Sequence, residues 1–291
     1  LTNPENMIMN HLMKLALFGA LCASLSACND SSLIQNTSQK TLSISSTNLE
    51  ALGNDYNYEG WVIVNGKAVS AGIFDIIDGK ASPSSFQLDA DSLDNASKYV
   101  LTIEPENDTD PSPASTHIIA GDINNSEATA VMQDSAALGT DFSAAAGTFI
   151  LATPSNSNAT PEQGIWFLDN SSGSPVASLS LPTLPAGWAY EGWVVGDNGP
   201  VSTGTFTRTD ATDSDGAGPA AGPMGTPPFP GQDFINPAMD VSASKVVISV
   251  EPVPDNSPAP FSIKPLIADA GMFTLNNVAR GNAPSATIMI D

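Results

Sequence analysis

The sequence predicts an all-β protein built from two tandem immunoglobulin-like β-sandwich modules. Short alternating apolar runs separated by turns rich in Gly and Pro support this prediction, and so does a segment that occurs twice. Gly and Pro number 23 each in 291 residues, and 41% of the residues are hydrophobic, which is enough for a packed core. A helical period is hard to find, and its best candidate, residues 126–138, is weak.

The charge balance excludes one class of partner. The chain has 31 acidic and 9 basic residues, which gives a net charge of -22. Binding to nucleic acid needs a basic patch that neutralises phosphates, so the sequence predicts no nucleic-acid partner. The same balance disfavours electrostatic attachment to anionic lipid.

The first 28 residues have the pattern of an export signal. Lys14 precedes an apolar run, which is followed by Leu-Ser-Ala and then Cys28. The apolar segment is shorter than the roughly 20 residues that a membrane-spanning helix needs. This pattern resembles a bacterial lipoprotein signal with its lipobox, and an ordinary signal peptide cleaved elsewhere is the alternative. The resemblance implies a signal peptide at 1–27 and a polar tether at 28–40.

The lipoprotein resemblance also implies where the chain is held. Cys28 becomes the lipidated first residue of the mature chain, and its acyl chains anchor the protein in the cell envelope. Asn29 is not the Asp linked to inner-membrane retention, so the outer membrane is favoured, although Asp30 leaves this open. Since Cys22 lies in the signal peptide, the mature chain is expected to have no disulfide and no thiolate metal site.

The body of the chain contains an imperfect repeat. Residues 58–62 recur unchanged as 190–194, and a strand-like segment ending in Glu-Pro also occurs in both copies. The second copy has extra residues, which fall naturally in 210–237. The repeat predicts a first module at 41–123, a bridging segment with a β-hairpin at 124–175, and a second module with closing strands at 176–291.

Local patterns predict individual strands in order along the chain. Asn65-Gly66 lies between β-branched runs and predicts a hairpin, because both turn residues need positive φ. The second copy has Asp197-Asn198-Gly199 at the corresponding place. Other strands are predicted from alternation or from β-branched content at 98–104, 245–251, 148–153 paired with 165–169, and 286–290.

The order of the repeated motifs resembles the extracytoplasmic C-terminal domain of anti-sigma-K factors. The shared pattern is a Tyr-x-x-Trp strand, a Gly-x-Phe strand, a strand ending in Glu-Pro, and a further apolar strand. The resemblance implies structural roles for the matching residues. These are Tyr58, Glu59, Gly60, Trp61, Gly72, Phe74, Glu104, Pro105 and Gly121 in the first copy, and Tyr190, Glu191, Gly192, Trp193, Gly204, Phe206, Glu251 and Pro252 in the second.

The sequence departs from that family at its N-terminal side. Family members place a cytoplasmic sigma-binding domain and a membrane helix before this domain, whereas this sequence has a lipobox in their place. We therefore expect an envelope sensor or interaction module without a sigma-binding domain. Its partner or ligand is not revealed by the motifs.

The repeated tryptophans and glutamates could serve either function or packing. An aromatic platform is one interpretation of Trp61 and Trp193, but placement in both copies favours core positions. Glu59 and its counterpart could perform acid–base chemistry or bind a cation, and more often such residues accept hydrogen bonds. Glu104 and its counterpart precede Pro, which predicts extended backbone and a structural role.

No cofactor and no catalytic residue are predicted. His117 is the only His after the signal peptide, and one His without Cys cannot build a zinc site. Asp210, Asp213 and Asp215 are a weak calcium candidate, because the EF-hand template fails at two of its positions. A solvated acidic loop is the alternative.

We therefore expect a non-catalytic, membrane-anchored envelope lipoprotein that senses a ligand or binds an unknown envelope protein. A carbohydrate- or surface-binding adhesin is one alternative, and exposure of two or more of Trp166, Trp188 and Phe229 on one face would favour it. An envelope-polymer hydrolase is the less favoured alternative, and it requires two carboxylates about 5–10 Å apart in a cleft, with Glu59 and Glu104 as the pair to examine.

Overall fold

A computed structural model describes residues 38–255 and 257–291. The predicted signal peptide, the lipidation site Cys28 and most of the tether lie outside the described residues. Apart from the strands, the described chain has α1 (Ala90–Asp94) and three short 3-10 helices, Pro161–Gln163, Ala270–Met272 and Ala279–Gly281. The strands are β1 (Gln39–Thr47), β2 (Tyr56–Val64), β3 (Lys67–Ile77), β4 (Lys80–Ser82), β5 (Ser85–Asp89), β6 (Ala96–Pro105), β7 (His117–Asp122), β8 (Glu127–Val131), β9 (Gly147–Thr148), β10 (Ile150–Leu151), β11 (Gly164–Trp166), β12 (Leu168–Asp169), β13 (Val176–Ala177), β14 (Trp188–Gly196), β15 (Gly199–Phe206), β16 (Gly231–Asp233), β17 (Lys245–Pro252), β18 (Leu266–Asp269), β19 (Thr274–Asn277) and β20 (Ser285–Ile290).

Nine strands form the larger sheet, in the order β4-β3-β2-β6-β7-β8-β20-β1-β5. The sheet curls, because β4 at one edge lies beside β1 near the other edge, and β3 lies beside β5. The rings of Phe74 and Phe86 meet across this closure with their centroids 6.3 Å apart. The curled sheet therefore encloses apolar side chains, and the all-β prediction is confirmed.

The second sheet has six strands in the order β15-β14-β17-β18-β19-β9. Two smaller sheets, β10-β11-β16 and β12-β13, lie among the described residues as well. The predicted hairpin between 148–153 and 165–169 is confirmed, since Ile150 pairs with Trp166. The strand β16 comes from the extra residues of the second copy and extends this hairpin.

Four strands of each large sheet follow the same order. The sequence β3-β2-β6-β7 in the first sheet corresponds to β15-β14-β17-β18 in the second. An ion pair joins the third and fourth of these strands in each sheet, at 2.8 Å between Lys98 and Asp122 and at 2.7 Å between Lys245 and Asp269. The two recurring segments therefore form the same arrangement of strands.

The predicted hairpin turns are also found. Asn65 and Gly66 have φ of 51° and 77° and join β2 to β3, as the turn type requires. In the second sheet, two residues, Asp197 and Asn198, also join β14 to β15, with Gly196 paired to Gly199, but here neither of them has positive φ and the residue with positive φ is Gly199, at 97°. The strongest local signal in the sequence thus gives the correct turn.

The bridging segment contributes strands to both large sheets. The best helical candidate of the sequence, residues 126–138, is not a helix, because β8 occupies its first part. Ala128 and Ala130 are buried there on alternate positions, and pairing with β20 outweighs the helix propensity of alanine. Further along, β9 pairs with β19 of the second sheet.

The closing strand belongs to the first sheet. The sequence assigned residues 286–290 to the second module, but β20 pairs with β1 on one side and with β8 on the other. The described residues belong to one compact unit, and its main apolar cluster includes Tyr58 and Tyr190 from the two predicted modules. The modules are therefore not separately packed bodies. Within the described residues, no helix has the length and hydropathy needed to cross a membrane.

Candidate functional site

The repeated glutamate at the end of the third strand is buried in both sheets. Glu104 at the end of β6 and Glu251 at the end of β17 are each 1% exposed. A buried carboxyl must find hydrogen-bond donors, because its transfer from water is costly otherwise. The residues that supply those donors define the candidate site in each copy.

In the first copy, a chain of hydrogen bonds leads from an indole to the glutamate. Trp61 Nε1 donates to Thr102 Oγ1 at 2.9 Å, and Thr102 Oγ1 donates to Glu104 Oε1. The backbone N–H of Ala114, in the loop after the strand, donates to the same oxygen at 2.8 Å. Trp61 is 2% exposed, so the core interpretation of this side chain is confirmed.

The second copy has the same chain of hydrogen bonds. Trp193 Nε1 donates to Ser249 Oγ at 2.8 Å, and Ser249 Oγ donates to Glu251 Oε1. The backbone N–H of Phe261 donates at 2.9 Å, in the position that an alanine holds in the first copy. Trp193 is 1% exposed and is likewise a core residue.

The other repeated glutamate lies on the neighbouring strand. Glu59 of β2 accepts a hydrogen bond from Ser70 Oγ of β3, and Glu191 of β14 accepts one from Ser202 Oγ of β15. The sequence predicted hydrogen-bond acceptance as the more frequent role for these residues, and both contacts agree with it.

The repeated tyrosines and phenylalanines are buried and stack in pairs. Tyr58 stacks on Phe74 with a centroid distance of 5.6 Å, and Tyr190 stacks on Phe206 at 5.7 Å. Each tyrosine hydroxyl donates to a backbone carbonyl eight residues earlier, at 3.0 Å to Glu50 O in the first copy. The motif residues therefore hold the first two strands of each copy to the core.

Glycines in both copies allow close packing at these strands. Gly60 and Gly192 have no room for a side chain, because Tyr99 and Thr203 lie against them. The irregularity in strand pairing falls at these positions in both hairpins. Pro105 and Pro252 end the third strand and lead into the loops that carry Ala114 and Phe261.

Three carboxylates converge in the second copy. One oxygen from each of Glu191, Glu251 and Asp255 lies within 4.8 Å of the others. Burial raises the pKa of Glu191 and of Glu251 to about 7, and the charge of Asp255 raises both further than burial alone would. Carboxylates held this close together can share a proton or bind a cation, whereas well-separated carboxylates ionise independently.

The corresponding carboxylates of the first copy also influence one another. Burial raises the pKa of Glu104, and the charges of Glu59 and Asp108 act in the same direction. Hydrogen bonds from Thr102 and Ala114 oppose this shift. Glu104 Oε2 is buried and has no hydrogen-bond partner among the described residues.

The calcium candidate of the insertion is only partly assembled. Asp213 and Asp215 lie together beside Gly204, and burial raises the pKa of Asp213 to about 7, with Asp215 adding to the shift. Asp210 instead pairs with Arg208 at 3.0 Å on the surface. The three aspartates therefore do not form one ligand set.

The remaining single residues have structural surroundings. A ring nitrogen of His117, Nδ1, lies 2.8 Å from the carbonyl oxygen of Ala136. Trp166, Trp188 and Phe229 are 0%, 3% and 9% exposed, so the exposed aromatic surface that an adhesin would require is not formed by them.

The glutamate pair does not resemble a polymer-cleaving site. Glu59 and Glu104, the pair named from the sequence, both lie on strands, and Glu104 is 1% exposed. In the second copy, Glu191 and Glu251 do lie close together on strands. However, they are only 6% and 1% exposed. A polymer chain could not reach both groups without rearrangement of the strands that bury them.

The sequence prediction missed the hydroxyl residues that complete the site. Thr102 and Ser249 stand two residues before the repeated glutamate in both copies, and this recurrence was the available signal. Asp108 and Asp255 follow the same glutamate by four residues, inside the acidic turns. Asn57 lies opposite Glu104 in the pairing of β2 with β6. It gave no signal, because the second copy has Ala189 at its position.

Comparison with known proteins supports the resemblance in part of the chain. Residues 23–118 match the family described as anti-sigma-K factor rskA, C-terminal. The match covers the first of the two recurring segments, and for that segment the resemblance predicted from the motifs is confirmed. Neither the curated proteins nor the solved structures gave a match.

Proposed function

We propose that this chain is a non-catalytic lipoprotein of the cell envelope whose β-rich body senses a ligand or binds a protein partner. The match of residues 23–118 to the extracytoplasmic part of anti-sigma-K factors is the observation that carries the proposal. In that family, this domain lies outside the cytoplasm and has no catalytic role. Protein interaction at the membrane is therefore the general activity to expect.

The anchor is part of the proposal. Cys28 follows Leu-Ser-Ala and an apolar run, so we propose that it is lipidated and holds the chain at the membrane. The outer membrane is favoured because Asn29 follows it. Replacing Cys28 by Ser should move the chain from the membrane fraction to the soluble fraction. Unchanged membrane association of this variant would contradict lipid anchoring at this residue.

Two copies of one domain are the second part. The same strand order, the same indole–hydroxyl–carboxyl chain and the same stacked ring pair occur in both segments, which supports an internal duplication. Because the copies share one apolar cluster, we propose that they act as one body.

The absence of enzymatic activity rests on the burial of the acidic groups. Glu104 and Glu251 are each 1% exposed and accept hydrogen bonds from their own strand and the following loop. Donors that hold a carboxyl in the folded protein stabilise the fold, and a substrate would have to displace them. We therefore assign a structural role to Glu104 and Glu251.

The experiment is a capture of partners from native membranes with the tagged full chain as bait. An envelope protein enriched over an unrelated lipoprotein would support the interaction. Ile73 and Ile77 are 51% and 57% exposed on one face of β3. A variant with both residues changed to Ser alters this surface and should leave the fold intact. Binding to cell-wall or polysaccharide fractions without any enriched protein would contradict the proposal and favour an adhesin.

A further inference from the structure

A cleft of about 320 Å³ lies where the two copies meet. One side of it is the segment of residues 50–56 that leads into β2 of the first copy, and the other side is the loop after β17 of the second copy. The hydroxyl of Tyr56 donates to the carbonyl oxygen of Pro254 at 3.4 Å and links the two sides. The cleft is therefore built by both copies together.

Much of the lining of the cleft is apolar. Ile103 and Phe261, each 3% exposed, line it together with Tyr56. Three prolines of the second copy also contribute, Pro252, Pro254 and Pro258. Surfaces of this kind accommodate the hydrocarbon stem of a long side chain and the flat face of a guanidinium group.

The charged side chains that line the cleft are acidic. They are Glu50, Asp55 and Asp255, and no described residue of the lining is basic. Lys264 lies in a neighbouring hollow beside Glu50 and partly offsets its charge. The ammonium group of Lys264 donates to the carbonyl oxygen of Phe261 at 2.6 Å, so it is held by the backbone there. An acidic cleft without a basic residue in its lining attracts positively charged groups.

Negative charge continues behind Asp255. One of its carboxylate oxygens lies within 4.8 Å of an oxygen of Glu191 and of an oxygen of Glu251. Glu191 and Glu251 are buried, so Asp255 is the member of this set that lines the cleft. A positive group bound beside Asp255 therefore offsets repulsion within the whole set.

The related crossing between the copies is closed. The carbonyl oxygen of Asp55 accepts from Glu106 N at 2.9 Å. The carbonyl oxygen of Gly187 accepts the corresponding hydrogen bond from Val253 N at 2.8 Å, so Gly187 is the counterpart of Asp55. Gly187 lies against Ser115 in the loop after β6, and an added Cβ would be 2.6 Å from the hydroxyl of Ser115. The segment and the loop are thus in direct contact at this crossing.

The acidic side chains also belong to the open crossing. The hydroxyls of Tyr58 and Tyr190 donate to the carbonyl oxygens of Glu50 and Pro182, so proline is the counterpart of Glu50 in the second copy. Glycine and proline at the closed crossing are compatible with the repeated fold. The repeated fold therefore does not explain why carboxylates and open space occur together at the other crossing.

We propose that this cleft binds an arginine side chain of a protein partner, with Glu50 and Asp255 pairing the guanidinium group and Tyr56 contacting its stem. A guanidinium group donates to carboxylates through several N–H groups and packs its flat face on aromatic surfaces. A bare metal ion would make no use of the apolar lining. This inference rests on the proposed function and specifies the chemical feature by which the partner is recognised.

Saturation-transfer difference NMR with the purified full chain tests the proposal. The probe is the peptide acetyl-Gly-Arg-Gly-amide, and the same peptide with citrulline, which has nearly the shape of arginine without its charge, is the comparison. The arginine peptide should bind saturably, and the citrulline peptide should bind about tenfold more weakly or less. Asp255→Asn and Glu50→Gln should each weaken binding of the arginine peptide about threefold or more, because each removes one negative charge.

Asp108→Asn is the matched control variant. Asp108 follows Glu104 by four residues, as Asp255 follows Glu251, but it does not line the cleft. Asparagine keeps an acceptor in both turns, for the backbone N–H of Asp110 in one and of Ser257 in the other. Near-ultraviolet circular dichroism must show that each variant is folded, and Asp108→Asn should bind the arginine peptide as the wild type does.

Four results of the titration would overturn the proposal. They are no binding of the arginine peptide, equal binding of the citrulline peptide, unchanged binding in the folded cleft variants, or an equal loss in Asp108→Asn and Asp255→Asn.

The membrane capture with the double variant Glu50→Gln, Asp255→Asn as bait separates this inference from the proposed function. Loss of the protein that the wild type captures would support arginine recognition in the cleft. Undiminished capture by the folded double variant would overturn it and leave the proposed protein interaction intact. A wild type that captures no protein contradicts the proposed function, whereas the peptide titration decides about the cleft by itself.

Discussion

Glu251 illustrates how this protein accommodates an acidic side chain in its interior. Ser249 Oγ and the backbone N–H of Phe261 donate to its carboxyl, and both contacts favour the ionised form. Burial is the larger effect, and it raises the pKa to about 7 with help from Asp255 and Glu191. The hydrogen bonds therefore reduce the cost of burial without removing it.

The raised pKa values predict that stability decreases as the pH rises. Glu191 and Glu251 have pKa values of about 7 in the folded protein against 4.5 ordinarily, so the folded state binds these protons more tightly than the unfolded state. Their contribution is fully present below about pH 4.5 and is lost as the pH rises through about 7. The loss amounts to about 3 kcal/mol for Glu251.

Urea unfolding at about pH 5 and about pH 8 measures this effect. Glu251→Gln should show a smaller difference between the two conditions than the wild type, because glutamine does not titrate. An identical pH dependence in wild type and variant would show that the carboxyl is not the cause.

The indole hydrogen bond of Trp61 predicts that two buried tryptophans, Trp61 and Trp188, contribute differently to the free energy of unfolding. Trp61→Phe should lower the free energy of unfolding by about 1–3 kcal/mol, since it leaves Thr102 without its donor in a buried place. Trp188→Phe is the matched control, because Trp188 Nε1 has no partner among the described residues although it is buried. Chemical denaturation measures the free energy of unfolding of both variants. An equal decrease in both would show that the lost ring volume, and not the hydrogen bond, causes the destabilisation.

At the scale of the strand, close contact explains a glycine. Gly72 on β3 has φ of 123°, and a Cβ there would lie 2.2 Å from the ring of Phe86. Both the backbone conformation and the neighbour disfavour a side chain. Glycine at position 72 therefore allows β3 to lie close to Phe86 of the edge strand β5.

Gly72→Ala is expected to destabilise the protein by about 2 kcal/mol or more, because it combines overpacking with backbone strain. Gly225→Ala is the control, as Gly225 is exposed and has no neighbouring atom within 4 Å of an added Cβ. Thermal unfolding of both variants checks this. A stable Gly72 variant would mean that Phe86 moves freely.

Elements with local signals could be predicted from the sequence. The Asn65-Gly66 turn needs only its own two residues, and the strands at 98–104 and 245–251 follow from runs of apolar residues. The strand at 127–131 could not be predicted in this way, because pairing with a distant strand creates it. The pairing of Asn57 with Glu104 likewise depends on register, which the residues do not reveal singly.

At the scale of the whole molecule, β20 joins strands that are distant along the chain. Ala286, Ile288 and Ile290 of β20 are buried between β1 and β8. Their partners in β1 are Ser46, Ile44 and Leu42, between 240 and 248 residues earlier in the chain. The sequence prediction placed this strand in the second module, since no local pattern indicates a pairing with so distant a strand.

Truncation tests this closure. A chain that ends at residue 284 should lose cooperative unfolding, because β1 and β8 lose their shared neighbour and the core loses three apolar side chains. A synthetic peptide of residues 284–291 should bind the truncated chain and restore cooperative unfolding. The same peptide with Ile288→Asp should not, and a truncated chain that unfolds cooperatively without peptide would contradict the prediction.

The position of β20 also affects the order of events during biosynthesis. Translation proceeds from the N-terminus, so β1 leaves the ribosome well before β20, its neighbour in the sheet, has been made. Until then the first sheet has an open gap between β1 and β8 and cannot reach its final form. The first sheet of a newly made chain is therefore completed only after β20 has been synthesised and has paired with β1 and β8.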